Sequence, residues 1–544
     1  YRQPDAPGRV TTPLIRDRGL EPASFGEVLP WLAERCRAGR VAFLTGGRLM
    51  DEDYYALSKL ARTAMGTNDL DHRRAFHGGL AEVVAATAVT DRERSATYRD
   101  IERASVILVA GVDTEQEVPI LHLRIRKAAA RGAKVFVVHP RRTRLHDVAE
   151  HLPTRPGHEV FVLDRIREGI QGDSFEARAA AALRDAGEEG VVLAGERLAE
   201  HPLAADLALA VATKTGSRFG YVTRRANDRG ALAGGVHPSL LPGGRRLGVA
   251  GERAEVEAVW GPIMATEDGR DTQGILQACA DRRVDVLFVI GADPLRDHPD
   301  AALARRALAN VATLVVQSVE VGELEPFASV FLPAAPAIEK DGHLTDWEGR
   351  WQRIRPVRDA LGLSRPDWEI LAGLAAAMGS DLGFQTLEEL HEEMASLLAP
   401  RDTPERPNVW AGAGAPQWLD DLTLFTYPLL VDEGRLSDRA DELKAALEDP
   451  AFAEMHPVDA EKRGLVDGVG VRLTTAAGVA SVPLRVTEHV AAGSVFVPFN
   501  QPGLAANTLL SGRSTAAVAV ETVEAGSGRA TGVPDAVLIE GPAA

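Results

Sequence analysis

The chain of 544 residues contains only two cysteines, Cys36 and Cys279. They lie far apart and lack C-x-x-C spacing, which excludes a disulfide scaffold and any all-cysteine cluster site, because such a cluster needs four thiolates. Each reads as a small buried apolar residue, and such low cysteine usage suits the cytosol. Long apolar runs are also missing. Stretches such as Val106-Ile-Leu-Val-Ala-Gly111 and Val284-Asp-Val-Leu-Phe-Val-Ile-Gly291 are strand-length and end at glycine, well short of the roughly 18 residues that span a bilayer. Direct membrane insertion is therefore not expected. Basic clusters are short as well. Pro140-Arg-Arg-Thr-Arg144 and Thr223-Arg-Arg225 sit among carboxylates in a chain of formal charge −17. Nucleic acid is thus excluded as a partner, since it demands a continuous basic footprint. There is no G-x-x-x-x-G-K-[ST] loop and no G-x-S-x-G elbow, and Gly291-Ala-Asp does not continue into a dinucleotide fingerprint.

What is present is an alternation of buried strands and amphipathic helices. With 45% hydrophobic and 26% charged residues, the composition is that of a globular protein, and the length asks for three or four domains. A short strand interrupted by proline is read over Val10-Thr-Thr-Pro-Leu-Ile-Arg16. Ser24-Phe-Gly-Glu27 has the spacing of a capping box and opens a helix through Trp31, Leu32 and Cys36. A buried strand at 41–44 ends in Thr45-Gly-Gly47, and a helix follows from about Asp51. The unit recurs: strand 105–110, helix 119–131 and strand 134–139, then strand 191–194 and helix 204–216, then strand 284–290, helix 301–310 and strand 313–317. This is the pattern of parallel sheets with helices on both faces. In such sheets ligands lie at the carboxyl ends of the strands. Here those ends are Gly111-Val-Asp113, Pro140-Arg-Arg142 and Gly291-Ala-Asp-Pro294. From about Leu424 the segments become short, Val-rich and separated by Gly-containing turns (469–473, 479–486, 493–498), as in a small β-barrel or sandwich.

Several motifs occur in the order found in one family. They include Leu44-Thr-Gly-Gly-Arg48, Ser105-Val-Ile-Leu-Val-Ala-Gly111, His139-Pro-Arg-Arg-Thr143 and Phe288-Val-Ile-Gly-Ala-Asp-Pro-Leu295. Further along stand Glu339-Lys-Asp-Gly342, Glu348-Gly-Arg350, Arg365-Pro-Asp-Trp368 and Met455-His-Pro-Val-Asp-Ala460. Together they resemble the molybdopterin-dependent oxidoreductases over nearly the whole chain. Within that group, the stretch 337–352 and the Gly46-Gly-Arg48 turn look most like one region of NADH:quinone oxidoreductase, complex I. That region is the C-terminal two-thirds of its large iron–sulfur subunit, of the 75-kDa type.

The resemblance carries several expectations. The fold would be α/β, with two doubly wound, mostly parallel-sheet domains followed by a small β-barrel domain. Residues 1–26 would lead in from a missing iron–sulfur region, as the non-Met first residue also suggests. Residues 27–77 and 251–398 would form a discontinuous first α/β domain and 78–250 a second. Residues 399–423 would link to a barrel-like domain over 424–544. In active relatives a metal ligand often precedes His-Gly. Here the matching stretch is Arg73-Arg-Ala-Phe-His-Gly78, so Phe76 takes the ligand position without a lone pair, and His77 beside it is vestigial. Soft thiolate or selenolate ligands suit molybdenum, and neither cysteine lies there. No catalytic or metal-binding residue is therefore expected. The strand-end residues Gly111, Asp113, Pro140, Arg141, Thr143, Gly291, Asp293 and Pro294 would outline a vestigial pterin cleft, glycine allowing close approach and Arg141 pairing with phosphate. An equally simple reading is that they form the turns any doubly wound sheet needs.

Functionally, the resemblance implies a structural or assembly region without an active site in a proton-translocating electron-transport complex. It would contact other peripheral-arm subunits on the cytoplasmic side of the inner or plasma membrane, with iron–sulfur clusters carried upstream of Tyr1. The alternatives are a molybdenum enzyme of the formate or nitrate reductase kind, or a binding protein using the inherited cleft for a nucleotide-like ligand. His146, Asp147, Glu150 and His151 have the composition of a metal cluster but read as a solvated face.

Overall fold

A computed structural model describes residues 5, 7–74, 95–201, 203–399, 422–434 and 438–523. The chain divides into two compact units, the first built from 1–76 and 225–404 and the second from 93–224 and 405–544.

The first unit is organised by a seven-stranded sheet. Its order is Leu20–Pro22, Leu14–Arg16, Val330–Pro333, Thr313–Ser318, Val286–Ile290, Val41–Thr45, Leu70–Asp71. The last five run parallel. Within residues 1–26, Leu14–Arg16 and Leu20–Pro22 add two antiparallel strands at one side of the sheet. The central strands are buried throughout, and alternate residues serve opposite faces. Val41, Phe43, Val286, Phe288 and Ile290 enter one core with the helices Phe25–Ala38 (α1) and Asp51–Lys59 (α2). Ala42, Leu44, Leu287 and Val289 enter the other, with helices Thr272–Ala280 and Ala301–Asn310. Phe43 stacks on Phe288 at 4.9 Å between ring centroids.

Helix α1 starts where the sequence places it. The Ser24 amide donates to Glu27 Oε2 at 2.8 Å, and the Glu27 amide donates to Ser24 Oγ at 3.3 Å. Helix α2 runs on into a π-helical turn, Leu60–Ala64, which carries the fully buried Arg62. Its guanidinium donates to Ser58 Oγ and to the carbonyls of Gly235, His237 and Leu240 at 2.7–3.0 Å. That is one reason residues 225–250 join the first unit, whereas the resemblance implies the second α/β region. Asn227 is another, donating to the Leu49 carbonyl at 2.7 Å and to Asp51 at 2.8 Å.

The second unit contains a five-stranded parallel sheet in the order Glu150–Pro153, Lys134–His139, Val106–Ala110, Gly190–Gly195, Arg218–Val222. It also contains a seven-stranded mixed sheet, ordered Thr515–Ala517, Thr423–Tyr427, Ser494–Pro498, Ala453–Met455, Val479–Val486, Gly470–Thr474, Ala519–Thr522. In Val479–Val486 buried and exposed residues alternate through Leu484, as on a strand with one wet face. The expected linker falls mostly at 401–421, outside the described residues, and Thr423 already begins a strand.

Candidate functional site

In a doubly wound sheet, chain order reverses at a switch point and leaves a crevice at the carboxyl ends of the two strands beside it. In the second unit that point lies between Val106–Ala110 and Gly190–Gly195. Its rim is formed by Gly111 and Asp113, with the neighbouring turn at Pro140, Arg141 and Thr143. The sequence therefore gathers five of its cleft residues at one place in this unit. Gly111 has φ +70°, and a Cβ there would lie 2.6 Å from Leu198 Cγ. Its glycine is required by a buried leucine packed into the crevice.

The polar residues of this rim are engaged by the mixed sheet. Arg141 donates from Nε and Nη2 to both oxygens of Glu454, at 2.7 and 2.9 Å, and from Nη1 to Tyr427 Oη at 3.1 Å. Tyr427 in turn donates to Asp113 Oδ2 at 2.9 Å. The turn's backbone is also taken. The Ala491 amide donates to the Pro140 carbonyl at 2.8 Å and the Arg142 amide to the His489 carbonyl at 2.6 Å. Burial pushes the Asp113 carboxyl above its usual range against the opposing pull of Arg141, and it holds His139 well below the usual imidazole value, hence neutral. Thr143 accepts the His146 amide through its carbonyl at 3.0 Å. Glu117, one turn from the rim, donates no charge to a ligand. It accepts the Asp113 amide at 2.8 Å and pairs with Arg224 at 3.4 Å, and burial raises its carboxyl to about 7.

Gly291, Asp293 and Pro294 belong to the other unit and line its switch point between Val41–Thr45 and Val286–Ile290. A Cβ on Gly291 (φ +60°) would meet Leu49 at 2.8 Å. Asp293 caps the short helix Pro294–Asp297 by accepting the Leu295 amide at 3.1 Å, with Pro294 in its first turn. The facing Gly46-Gly47 turn is held by the Asn227 amide, which donates to the Gly47 carbonyl at 2.9 Å. Phe76 and His77 lie outside the described residues.

One constellation went unnoticed in the sequence. Three consecutive buried acids open α2, and each has its own partners. Asp51 accepts from Thr345 and Asn227. Asp53 meets Lys340 at 2.7 Å, and Lys340 also meets Asp367 at 2.6 Å. Glu52 receives two imidazoles on one oxygen, His343 Nδ1 and His391 Nε2, each at 2.7 Å. The histidines of the stretch read as a solvated face bind separate backbone carbonyls. His146 Nδ1 contacts the Thr143 carbonyl, His151 Nε2 the Arg141 carbonyl, and Asp147 pairs with Arg126.

Two parallel sheets with switch points and a mixed terminal sheet define an α/β protein. A family model described as molybdopterin oxidoreductase matches residues 9–377, and one described as molydopterin dinucleotide binding domain matches residues 434–524. The chain belongs to the molybdopterin oxidoreductase family. It is 35% identical to the G subunit of NADH-quinone oxidoreductase from Mycobacterium bovis, over 92% of this chain and 62% of that protein. It is 28% identical to F420-dependent formate dehydrogenase 2 subunit alpha of Methanococcus maripaludis, over 90% of this chain and 86% of that protein. The chain thus spans less than two-thirds of the length of the mycobacterial relative. The structure of acetylene hydratase from Pelobacter acetylenicus matches with a TM-score of 0.60 at 14% identity, covering 96% of this chain and 93% of that one, and so shares the fold.

The family's name implies a pterin dinucleotide, whose pyrophosphate requires a cluster of N–H donors. The described residues of the second unit's rim do not fit it. Arg141's fork is committed to Glu454 and Tyr427, and Leu198 sits against Gly111. The rim's buried atoms without a hydrogen-bond partner include Asp113 Oδ1, His139 Nε2 and Thr143 Oγ1. The first would repel a phosphate, and single atoms of the other two kinds make no anion cradle.

Proposed function

We propose that this chain is a non-catalytic structural and assembly region of the large iron–sulfur subunit of a proton-translocating NADH:quinone oxidoreductase. The observation that carries the reading is the closed rim: Arg141, Glu454, Tyr427 and Asp113 bind one another where a cofactor's phosphate would otherwise go. The likeness to the mycobacterial NADH-quinone oxidoreductase protein supports the assignment to that complex. In this reading the clusters that carry electrons from NADH lie in the part of the subunit outside this chain, whose two cysteines could not hold them. Burial raises both thiols to about 12, as for small residues packed in a core rather than reactive thiolates. The chain docks against other peripheral-arm subunits on the cytoplasmic side of the membrane. Among the described residues no helix is long and apolar enough to cross it.

The test is purification of the parent subunit from its source under mild conditions. Co-purification with NADH dehydrogenase activity, iron–sulfur signals and less than about 0.1 molybdenum per chain is expected. Stoichiometric molybdenum would favour the second reading, a formate dehydrogenase-like enzyme, which the 86% coverage of the Methanococcus maripaludis protein supports.

A further inference from the structure

A buried carboxylate needs a cation or several donors to stay ionised. Glu52 is fully buried in the first turn of α2. Its Oε2 accepts the His343 amide at 2.9 Å. Its Oε1 faces two imidazole nitrogens, His343 Nδ1 and His391 Nε2, both at 2.7 Å. The three atoms come from three elements: α2, the strand Gly342–Thr345 and the helix Leu387–Leu398. All lie within 4.8 Å of one another.

The surroundings fix this geometry. The Trp351 ring lies flat on His343, 3.4 Å between centroids and 12° from parallel. The two imidazoles are 5.0 Å apart and set edge to face at 71°. A Cβ at Gly342 would come 2.7 Å from Glu52 Oε2, so the strand can approach the carboxylate only because that residue is glycine. Glu52 and His343 are closed off, whereas the His391 side chain is 25% exposed and opens the cluster to solvent.

We infer that Glu52, His343 and His391 form a binding site for a divalent transition-metal ion, zinc fitting best. Two imidazole nitrogens and one carboxylate oxygen, with one side open, are the donor set of a three-ligand zinc centre completed by water. Zinc bonds of about 2.0–2.2 Å place neighbouring ligand atoms about 3.3 Å apart in a tetrahedron. The two 2.7 Å contacts therefore need to open by roughly half an ångström. His391, on a surface helix, has the freedom to supply that movement. The proposal does not depend on which respiratory or enzymatic role the chain has.

The test begins with chelator-treated, dialysed chain. Zinc is titrated calorimetrically at pH 7.5, and cobalt(II) is added separately as a spectroscopic probe. Saturable uptake of one zinc is expected, together with visible absorption bands of the tetrahedral cobalt form and a zinc-dependent rise in thermal midpoint. His391→Ala, at the partly exposed position, should weaken binding at least about ten-fold and abolish the zinc-dependent thermal shift measured against the variant's own apo form. His343→Gln should lose the cobalt bands, and His146→Ala should leave binding intact. Absence of saturable zinc uptake, equal affinity in His391→Ala, or loss of binding in His146→Ala instead would overturn the assignment.

Discussion

Replacing Arg141 by methionine tests whether the closed rim holds the second unit together. The side chain is 18% exposed, its partners Glu454 and Asp113 only 6% and 3%. Methionine keeps most of the volume but removes the two bonds to Glu454 and the one to Tyr427, leaving two carboxylates buried without their cation. Breaking such a pair from one side costs about 3–5 kcal/mol, because the remaining charge is stranded. Removing the stranded charge as well should recover part of the loss. Arg141→Met/Glu454→Gln should therefore be more stable than the sum of the single variants by about 1.5–3 kcal/mol. The assay is urea unfolding followed by far-UV circular dichroism, with hydrogen exchange of the 106–110 and 423–427 amides to assign the loss to this unit. In a cooperative unit of this size, the single variant should lower the thermal midpoint by roughly 6–15 °C. A loss below about 1 kcal/mol, or additivity of the two substitutions, would refute the reasoning. The interaction would then be a solvated contact of little energetic weight.

Gly111→Ala forces a left-handed backbone and a Cβ onto Leu198, and should cost about 2–4 kcal/mol in urea unfolding. Leu198→Ala in the same chain should relieve only the steric share. Arg62→Met leaves the His237 and Leu240 carbonyls without their donor, while Gly235 keeps that of Ser58 Oγ, and should destabilise the first unit by about 3 kcal/mol, seen as faster exchange at 235–241. For Glu117, burial lifts the folded carboxyl from 4.5 to about 7. Folding therefore takes up a proton, and its stabilising share is present below about pH 4.5 and lost as pH rises through 7. Glu117→Gln should accordingly gain stability on the wild type between pH 5 and 7.5, by up to about 3 kcal/mol; an unchanged difference across that range would contradict the burial argument.

Local features of this protein are written in neighbouring residues, and those were legible. The capping box of Ser24 and Glu27 formed as its spacing implied, and Lys134–His139 and Val479–Val486 are strands over the residues their patterns marked. What joins distant segments was not legible. Arg141 and Glu454 are 313 positions apart, Glu52 and His343 291, and Glu52 and His391 339. No periodicity connects such pairs. The acids at 51–53 resemble an ordinary charged helix start, since Asp and Glu favour the first turn. Only the fold reveals that all three are buried and separately satisfied. Residues 225–250 join the first unit through equally distant contacts, because the amide of Asn227 and the acceptors around Arg62 specify their neighbour without any local pattern.

The glycines at the switch points bear on how such sites are read. Gly111 and Gly291 sit where ligands approach in doubly wound sheets, and that position invites a functional explanation. In this chain each glycine is already required by a leucine, Leu198 in one unit and Leu49 in the other. Their left-handed φ angles are set by the turns themselves. A small residue at a strand end is therefore evidence of close approach by something, and the packed structure identifies that something as the protein's own side chain. Arg141 follows the same logic. A guanidinium at such a rim suits a phosphate, but it suits the carboxylate of Glu454 equally well, since both accept a planar pair of N–H bonds. Once the terminal sheet brings Glu454 within 2.7 Å, an incoming phosphate must displace a buried, bidentate partner before it gains anything. The strand-end residues of this rim hold two sheets of one unit together.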